Sequence, residues 1–197
     1  MSAKLDLSAL PPLILASGSP RRRELLEQLG IEFTVSRSDA PELEPEHLSP
    51  GETAQINAYR KARAAAKRFP DRLVLTADTV VGLGAELFAK PVDAADAERM
   101  LVRLQGRTHQ VVTGVCLLHL RAHRQRLFAA STAVTFRRLH TGQIRRYLSS
   151  ITPFDKAGAY AIQEEGDQIV KHIHGSFTNV VGLPMERLCE ELVAWGR

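Results

Sequence analysis

Cysteine is nearly missing from this chain: Cys116 and Cys189 are the only two in 197 residues. They stand too far apart for a metal pair, and two thiols make no disulfide framework. Cys116 falls in an apolar strand-like run and Cys189 in a terminal helical one, so both read as small core residues. Aromatic residues are few as well, at 6%, and no nucleic-acid-binding signature appears, which counts against nucleic acid as a partner. No stretch reaches about 18 consecutive apolar residues, which excludes a transmembrane helix. The start, Met1-Ser2-Ala3-Lys4-Leu5-Asp6, carries an acid, with two prolines soon after and no apolar signal core, so a cytoplasmic location is expected. Both common phosphate cradles are missing: there is no GxxxxGK[ST] loop, and Gly82-Leu83-Gly84 lacks the third glycine of a dinucleotide fingerprint. Histidines do not cluster usefully. His172 and His174 would share one strand face, but without a third ligand they read as surface residues.

What is there is a soluble-type composition, 44% hydrophobic and 24% charged. The length suits a single domain over residues 1–197 with one sizeable core, single or bilobed. The net charge of +4 is modest, but its distribution is uneven. Basic residues crowd at 21–23, 60–68, 121–126 and 137–146, and acids at 39–47 and 164–167. A small polyphosphate ligand accounts for such clusters as well as nucleic acid does.

Ser17-Gly18-Ser19-Pro20-Arg21-Arg22-Arg23 is the most informative stretch. The apolar run Leu13–Ala16 precedes it, and a helical pattern ending at Gly30 follows. Ser19 reads as the N-cap and Pro20 as the first helical residue. A helix N-terminus carries partial positive charge and unpaired N–H groups, so cations there are opposed by roughly 0.3–1 kcal/mol each. Either the turn is simply basic and exposed, or an anion, most plausibly a phosphate chain, sits on those N–H groups and guanidinium forks.

Asp78 interrupts Leu73–Val81, which otherwise reads as a buried strand. It is either a strand-end acid that reaches solvent or a structural lysine, or a catalytic or metal-organising carboxylate. In the helix that follows the Ser49-Pro50-Gly51-Glu52 capping box, Ala54, Ala58, Ala62, Ala65 and Phe69 form the buried stripe. Arg60, Arg63 and Lys67 fall on the wet face, and Lys61 sits at the stripe's edge, as a snorkelling lysine or a ligand to an anion. Lys90-Pro91 follows a hairpin, and Glu42 lies in an acidic loop whose carboxylates suit Mg²⁺ or Mn²⁺. The small residues of 155–162 would let a ligand approach the backbone, and Gln163 offers both donor and acceptor to a base edge.

The pattern predicts strands at 13–17, 32–36, 73–81, 86–89, 110–120, 127–137, 159–162 and 168–173. Helices are expected at 20–29, from 50 to about 68, after an Asp93 cap, from a Thr141 cap to 148, and at 183–194. The hairpin strands 110–120 and 127–137 turn through 121–126. Helices mixed with hairpins imply a mixed sheet with helices packed on it.

Seven ordered blocks of this chain resemble the Maf family of nucleoside triphosphate pyrophosphatases. They are Leu15–Leu26, Ala58-Tyr59-Arg60-Lys61-Ala62, Ala77-Asp78-Thr79, Lys90-Pro91 with Asp93, Gly106 with His109, Val111 and Thr113-Gly114-Val115, then Asp155–Tyr160, and Asn179–Pro184. The resemblance implies an α/β fold: an elongated mixed sheet with helices on both sides and two lobes around a central cleft. It implies hydrolysis of a nucleoside triphosphate between the α and β phosphates with a divalent cation, Mg²⁺ or Mn²⁺. By motif, Ser17, Arg21 and Arg22 would hold phosphates or approach the base, and Glu42 and Asp78 would organise metal and water. Asp78 would be the general base, and Lys61 and Lys90 would neutralise the triphosphate. The blocks look like the branch that acts on dTTP and UTP, with Arg22, Lys61 and Gln163 as candidates for base discrimination. A homodimer is expected by analogy. The chain departs from the family in having Thr76 where glycine is usual and Asn57 where leucine is usual. A different reading is a non-catalytic cell-division regulator or nucleic-acid-binding protein acting through its basic surface, the former in keeping with the family's association with septum formation.

Overall fold

A computed structural model describes residues 7, 9–38, 40–43 and 47–196. Seven strands make one mixed sheet: β1 (Leu13–Leu15), β2 (Phe33–Val35), β3 (Leu73–Leu83), β4 (Glu86–Phe88), β5 (Thr108–His119), β6 (Arg124–Phe136) and β7 (Val170–His174). The order is β2-β1-β3-β5-β6-β7, with β4 added to β3. β1 runs parallel to β2 and β3, and all other pairings are antiparallel. The helices are α1 (Pro20–Glu27), α2 (Pro50–Arg68), α3 (Ala94–Leu104), α4 (Thr141–Ser150), α5 (Gly166–Ile169), α6 (Phe177–Val181) and α7 (Met185–Trp195). Among the described residues no helix is long and apolar enough to cross a membrane.

Alternation along the strands sorts the core by face. Ile14, Val74 and Cys116 point to one side, where they meet Ala58, Ala62, Ala65 and Ala66 of α2. Leu13, Leu15, Leu73, Leu75 and Leu117 point to the other, against α1 and α7. Further along that second face Val81, Val111 and Val134 build a separate core with α3, α4 and the segment around Tyr160. Two cores side by side on one sheet give the two lobes.

α2 lies unusually close to the sheet because its inward stripe is alanine. A Cβ built on Gly114 of β5 would stand 2.4 Å from the carbonyl of Ala54 and 2.6 Å from the nitrogen of Gln55. Only glycine fits there. Ser49 caps α2 through a reciprocal capping box with Glu52. Thr76, fully buried, donates its hydroxyl to the Ala58 carbonyl at 2.7 Å, a strand-to-helix bond that fixes α2 over β3.

β3 is the longest-reaching strand on its side of the sheet, and that creates the site. β1 pairs only with Leu73–Leu75 and β4 only with Val81–Leu83. β5 covers the opposite edge from Val74 to Gly82. Residues 76–80 therefore have one edge without a strand partner, just beyond the carboxyl end of β1. In open α/β sheets that is where ligands enter.

Several expected elements differ. The hairpin between β5 and β6 turns through 120–123, tighter than expected, with His123 at positive φ. His140, not Thr141, caps α4, in a capping box with Gln143. The expected strand at 159–162 does not form, because Gly158 and Ala159 both take positive φ and turn the chain out of register. The stretch from 166 to 169 is a short helix, so β7 starts at Val170. The closing helix starts at Met185 and is preceded by α6, a five-residue helix too short to show a helical period.

Candidate active site

The cleft at the free edge of β3 has a volume of about 460 Å³, within the range of small-ligand sites. Ser17, Arg21, Arg22, Glu42, Lys61, Asp78, Lys90 and Gln163 all line it. Residues drawn from six separate parts of the sequence thus share one space.

On the α2 side of β3 stands an alternating row of charges. Asp78 is 5% exposed. Its Oδ1 accepts from Lys61 Nζ at 2.5 Å, and its Oδ2 from Asn57 Nδ2 at 3.2 Å. Lys61 also donates to Glu42 Oε1 at 2.7 Å, and Lys90 Nζ reaches the two oxygens of Glu42 at 2.9 and 3.0 Å. The stripe-edge position of Lys61 is thereby explained: one turn past Asn57, its stem is covered and its ammonium lies between two carboxylates. Burial opposes the charge on Glu42, but the hydrogen bonds and charges of Lys61 and Lys90 outweigh it and bring its pKa from 4.5 to about 2.

That shift has a measurable consequence. A carboxyl held below its unfolded value stabilises the fold fully above pH 4.5, and the contribution is lost as pH falls toward 2. Glu42→Gln should therefore flatten the fall in thermal stability between pH 4.5 and 2 relative to the parent protein. Parallel acid limbs in the two proteins would contradict the ion-pair geometry.

Asn57 is the residue whose part the sequence did not disclose. Its Oδ1 accepts from the Leu43 N–H at 2.8 Å and its Nδ2 donates to the Leu43 carbonyl at 2.9 Å. This two-point clamp holds the segment bearing Glu42 against α2, and the same amide nitrogen touches Asp78. Of the acidic loop around Glu42, residues 39 and 44–46 lie outside the described ones.

On the opposite face of β3 sits Arg22. The three arginines of α1 diverge. Arg23 turns away and pairs with Glu27 at 2.8 Å, so it takes no part in the cleft. Arg21 reaches across to Asp155 at 2.9 Å. Arg22, half-buried, donates Nε to the Gly182 carbonyl at 2.8 Å, Nη2 to Thr79 Oγ1 at 3.0 Å and Nη1 to Ser17 Oγ at 3.5 Å. Among the described residues no carboxylate lies within ion-pair distance of it. Burial pulls its pKa down, while the fields of Asp78 and Glu42 pull it up. Gly182 is glycine for good reason: its φ is +123°, a backbone conformation that L side chains rarely adopt.

Ser17, buried at 7%, accepts from the Ser19 N–H at 3.2 Å as well as from Arg22. Ser17 lines the cleft, and its hydroxyl still has a hydrogen to donate. Ser19 caps α1 by accepting from the Arg22 N–H, as its place before Pro20 suggests. Gln163 is exposed on the turn after Tyr160, and Phe154, 48% exposed, stands at the same rim. Lys156 is buried and holds this rim together, donating to the Thr152 carbonyl at 2.6 Å and to Asp155 at 2.8 Å. His172 and His174 are exposed on β7, away from the cleft.

A family model described as Maf-like protein matches residues 12–195. The chain belongs to the Maf family. A dTTP/UTP pyrophosphatase of Myxococcus xanthus is 50% identical over 175 residues, 88% of this chain and 87% of that protein. A dTTP/UTP pyrophosphatase of Moorella thermoacetica is 46% identical, covering 94% of this chain and 98% of that one. Among solved structures, a HAM1 protein from Coxiella burnetii superposes with a TM-score of 0.50 at 16% identity, over 94% of this chain and all of that one, which places this Maf protein's fold beside it. For this Maf chain the mixed sheet flanked by helices is thus both observed and shared.

Proposed function

We propose that this Maf protein hydrolyses nucleoside triphosphates, dTTP and UTP foremost, between the α and β phosphates to give monophosphate and pyrophosphate. The observation that carries this reading is a cleft with two differently wired walls. One holds carboxylates interleaved with lysines, and the other an arginine that, among the described residues, has no carboxylate within ion-pair distance. A guanidinium has five N–H donors, and the protein uses three of them on Arg22, which leaves two for an anion. Phosphoryl-type chemistry requires little else than placed cations, a metal and an oriented water.

The donor set also suits a hard cation. Glu42 and Asp78 are all-oxygen ligands that already flank one positive centre, the Lys61 ammonium, at 2.7 and 2.5 Å. Among the described residues there is no group of three or more acidic, histidine or cysteine side chains at metal-binding spacing. Mg²⁺ characteristically accepts one or two carboxylates and takes its other ligands from phosphate and water. When bound, Mg²⁺ or Mn²⁺ would supply charge neutralisation at the phosphate oxygens and acidify a coordinated water.

In this reading the chain's own groups divide the work. Asp78 orients the attacking water and takes its proton. Lys61 and Lys90, now neutralised by Glu42, turn to phosphate oxygens. Ser17, Arg21 and Arg22 hold the remaining anionic oxygens, and Gln163 offers an amide to the pyrimidine edge. Base discrimination rests on Arg22, Lys61 and Gln163. A pure electrostatic binder would have no use for the buried pair of Asp78 and Lys61. We extend the proposal to a cytoplasmic homodimer on the sequence argument and analogy alone.

The test is a nucleotide panel with separate readouts for pyrophosphate and orthophosphate, with and without Mg²⁺ or Mn²⁺. Pyrophosphate release from dTTP or UTP that stops on chelation is expected. Orthophosphate as the first product would overturn the α–β assignment.

A further inference from the structure

The seat of Arg22 is built from hydroxyls whose proton directions are forced. Arginine only donates, so Thr79 Oγ1 must accept from Arg22 Nη2 at 3.0 Å. Thr79 then has one hydrogen to give, and Thr113 Oγ1 lies 2.9 Å away. Thr113 cannot return it along the same line, because its own hydrogen goes to the Asn179 carbonyl at 3.0 Å. The row therefore runs one way, from guanidinium to Thr79 to Thr113 to a backbone carbonyl. Thr113 and Asn179 are fully buried. The end of the row is immobile: Asn179 Nδ2 donates to the Val111 carbonyl at 3.0 Å and to Thr132 Oγ1 at 2.9 Å. The carbonyl of Gly182, which accepts Arg22 Nε, sits three residues further on, and the Gly182 N–H bonds back to Asn179.

We infer that Thr79 and Thr113 are positioning residues that aim Arg22 at the anionic substrate. Two anchored donors, Nε on Gly182 and Nη2 on Thr79, fix the plane of the guanidinium and direct its unused N–H groups into the cleft. Without the Thr79 oxygen one N–H of a half-buried cation loses its acceptor, and the plane is held only by the Gly182 carbonyl and the long 3.5 Å bond to Ser17. This inference rests on the proposed hydrolysis only in that Arg22 meets the substrate.

The experiment is a cycle on steady-state hydrolysis of dTTP or UTP, comparing Thr79→Val, Thr79→Ser, Thr113→Val, Arg22→Met and the double variant Thr79→Val with Arg22→Met. Thr79→Val should lower kcat/KM by about 10- to 100-fold, mostly through KM, the size expected when a partly buried charged donor loses its acceptor. Thr79→Ser, which keeps the hydroxyl, should restore most of the loss, and Thr113→Val should fall between them. In the Arg22→Met background, Thr79→Val should add less than about 3-fold, because both changes remove the same interaction. Full additivity of the two, or a Thr79→Val enzyme with an unchanged KM, would overturn the inference. If Arg22→Met itself left KM and kcat intact, the reading of the cleft would fail instead, and the two failures are distinct. Should Thr79→Val not fold, Thr79→Ala removes the hydroxyl without adding bulk and enters the same cycle.

Discussion

Asp78→Asn should abolish pyrophosphate release, with kcat reduced by at least ~10³-fold, in the upper part of what a positioned general base supplies. The change keeps volume and one carbonyl acceptor, so Asn57 can still donate to the side chain. Lys61 keeps its bond to Glu42 at 2.7 Å. The variant should consequently stay folded, and a cooperative thermal melt checks that. What disappears is the basic oxygen that takes the water's proton and half of the carboxylate pair that suits a hard cation. Residual activity above about a tenth of the parent's would mean that another group is the base, because losses of that size are below the range for general-base removal.

Arg22→Met should separate function from stability. Loss of an uncompensated cation facing a polyphosphate should cost about 10²- to 10³-fold in kcat/KM, equivalent to one or two charge-assisted hydrogen bonds made with substrate. The fold should hardly suffer. Burial already disfavours the charge on Arg22, and among the described residues no carboxylate lies within ion-pair distance of it, although the fields of Asp78 and Glu42 favour it. Methionine fills similar volume without that desolvation. The hydroxyl of Thr79 lines the cleft, where water can replace the lost donor, while the buried carbonyl of Gly182 loses the Nε donor and sets the small stability cost. We expect a melting temperature within a few degrees of the parent's, measured by calorimetry alongside the kinetics. A fall of ten degrees or more would show that Arg22 is a structural strut.

Much of this site could be read before any coordinates. Ser19 before Pro20, the Ser49–Glu52 box and the alanine stripe of α2 are local signals, and the structure has all three. Asp78 stood out because a charged residue in an apolar run demands a partner. The partner itself, Lys61, is 17 positions away, and its stripe-edge location only narrowed its role. The hidden part consists of bonds between distant segments. Asn57 bonds across 14 residues to Leu43, Thr79 across 34 to Thr113, and Arg22 across 160 to Gly182. No periodicity encodes such pairs. Backbone conformation hid the rest: Gly158 and Ala159 at positive φ replace an expected strand with the turn that brings Gln163 to the rim. Arg23 adjoins Arg22 in the basic run, yet helix geometry turns it away to pair with Glu27.

Neighbours on a strand point to opposite sides, and Asp78 and Thr79 are neighbours. The acid therefore belongs to the water-activating wall and the hydroxyl to the arginine's wall, through nothing more than parity. Inserting or deleting a single residue between Leu75 and Asp78 would exchange them. The carboxylate would then fall on the arginine's side of the sheet, away from Lys61. Natural variation in the length of this chain should thus accumulate in its turns and spare the few residues between the end of β1's ladder and the start of β4's, even where their side chains change.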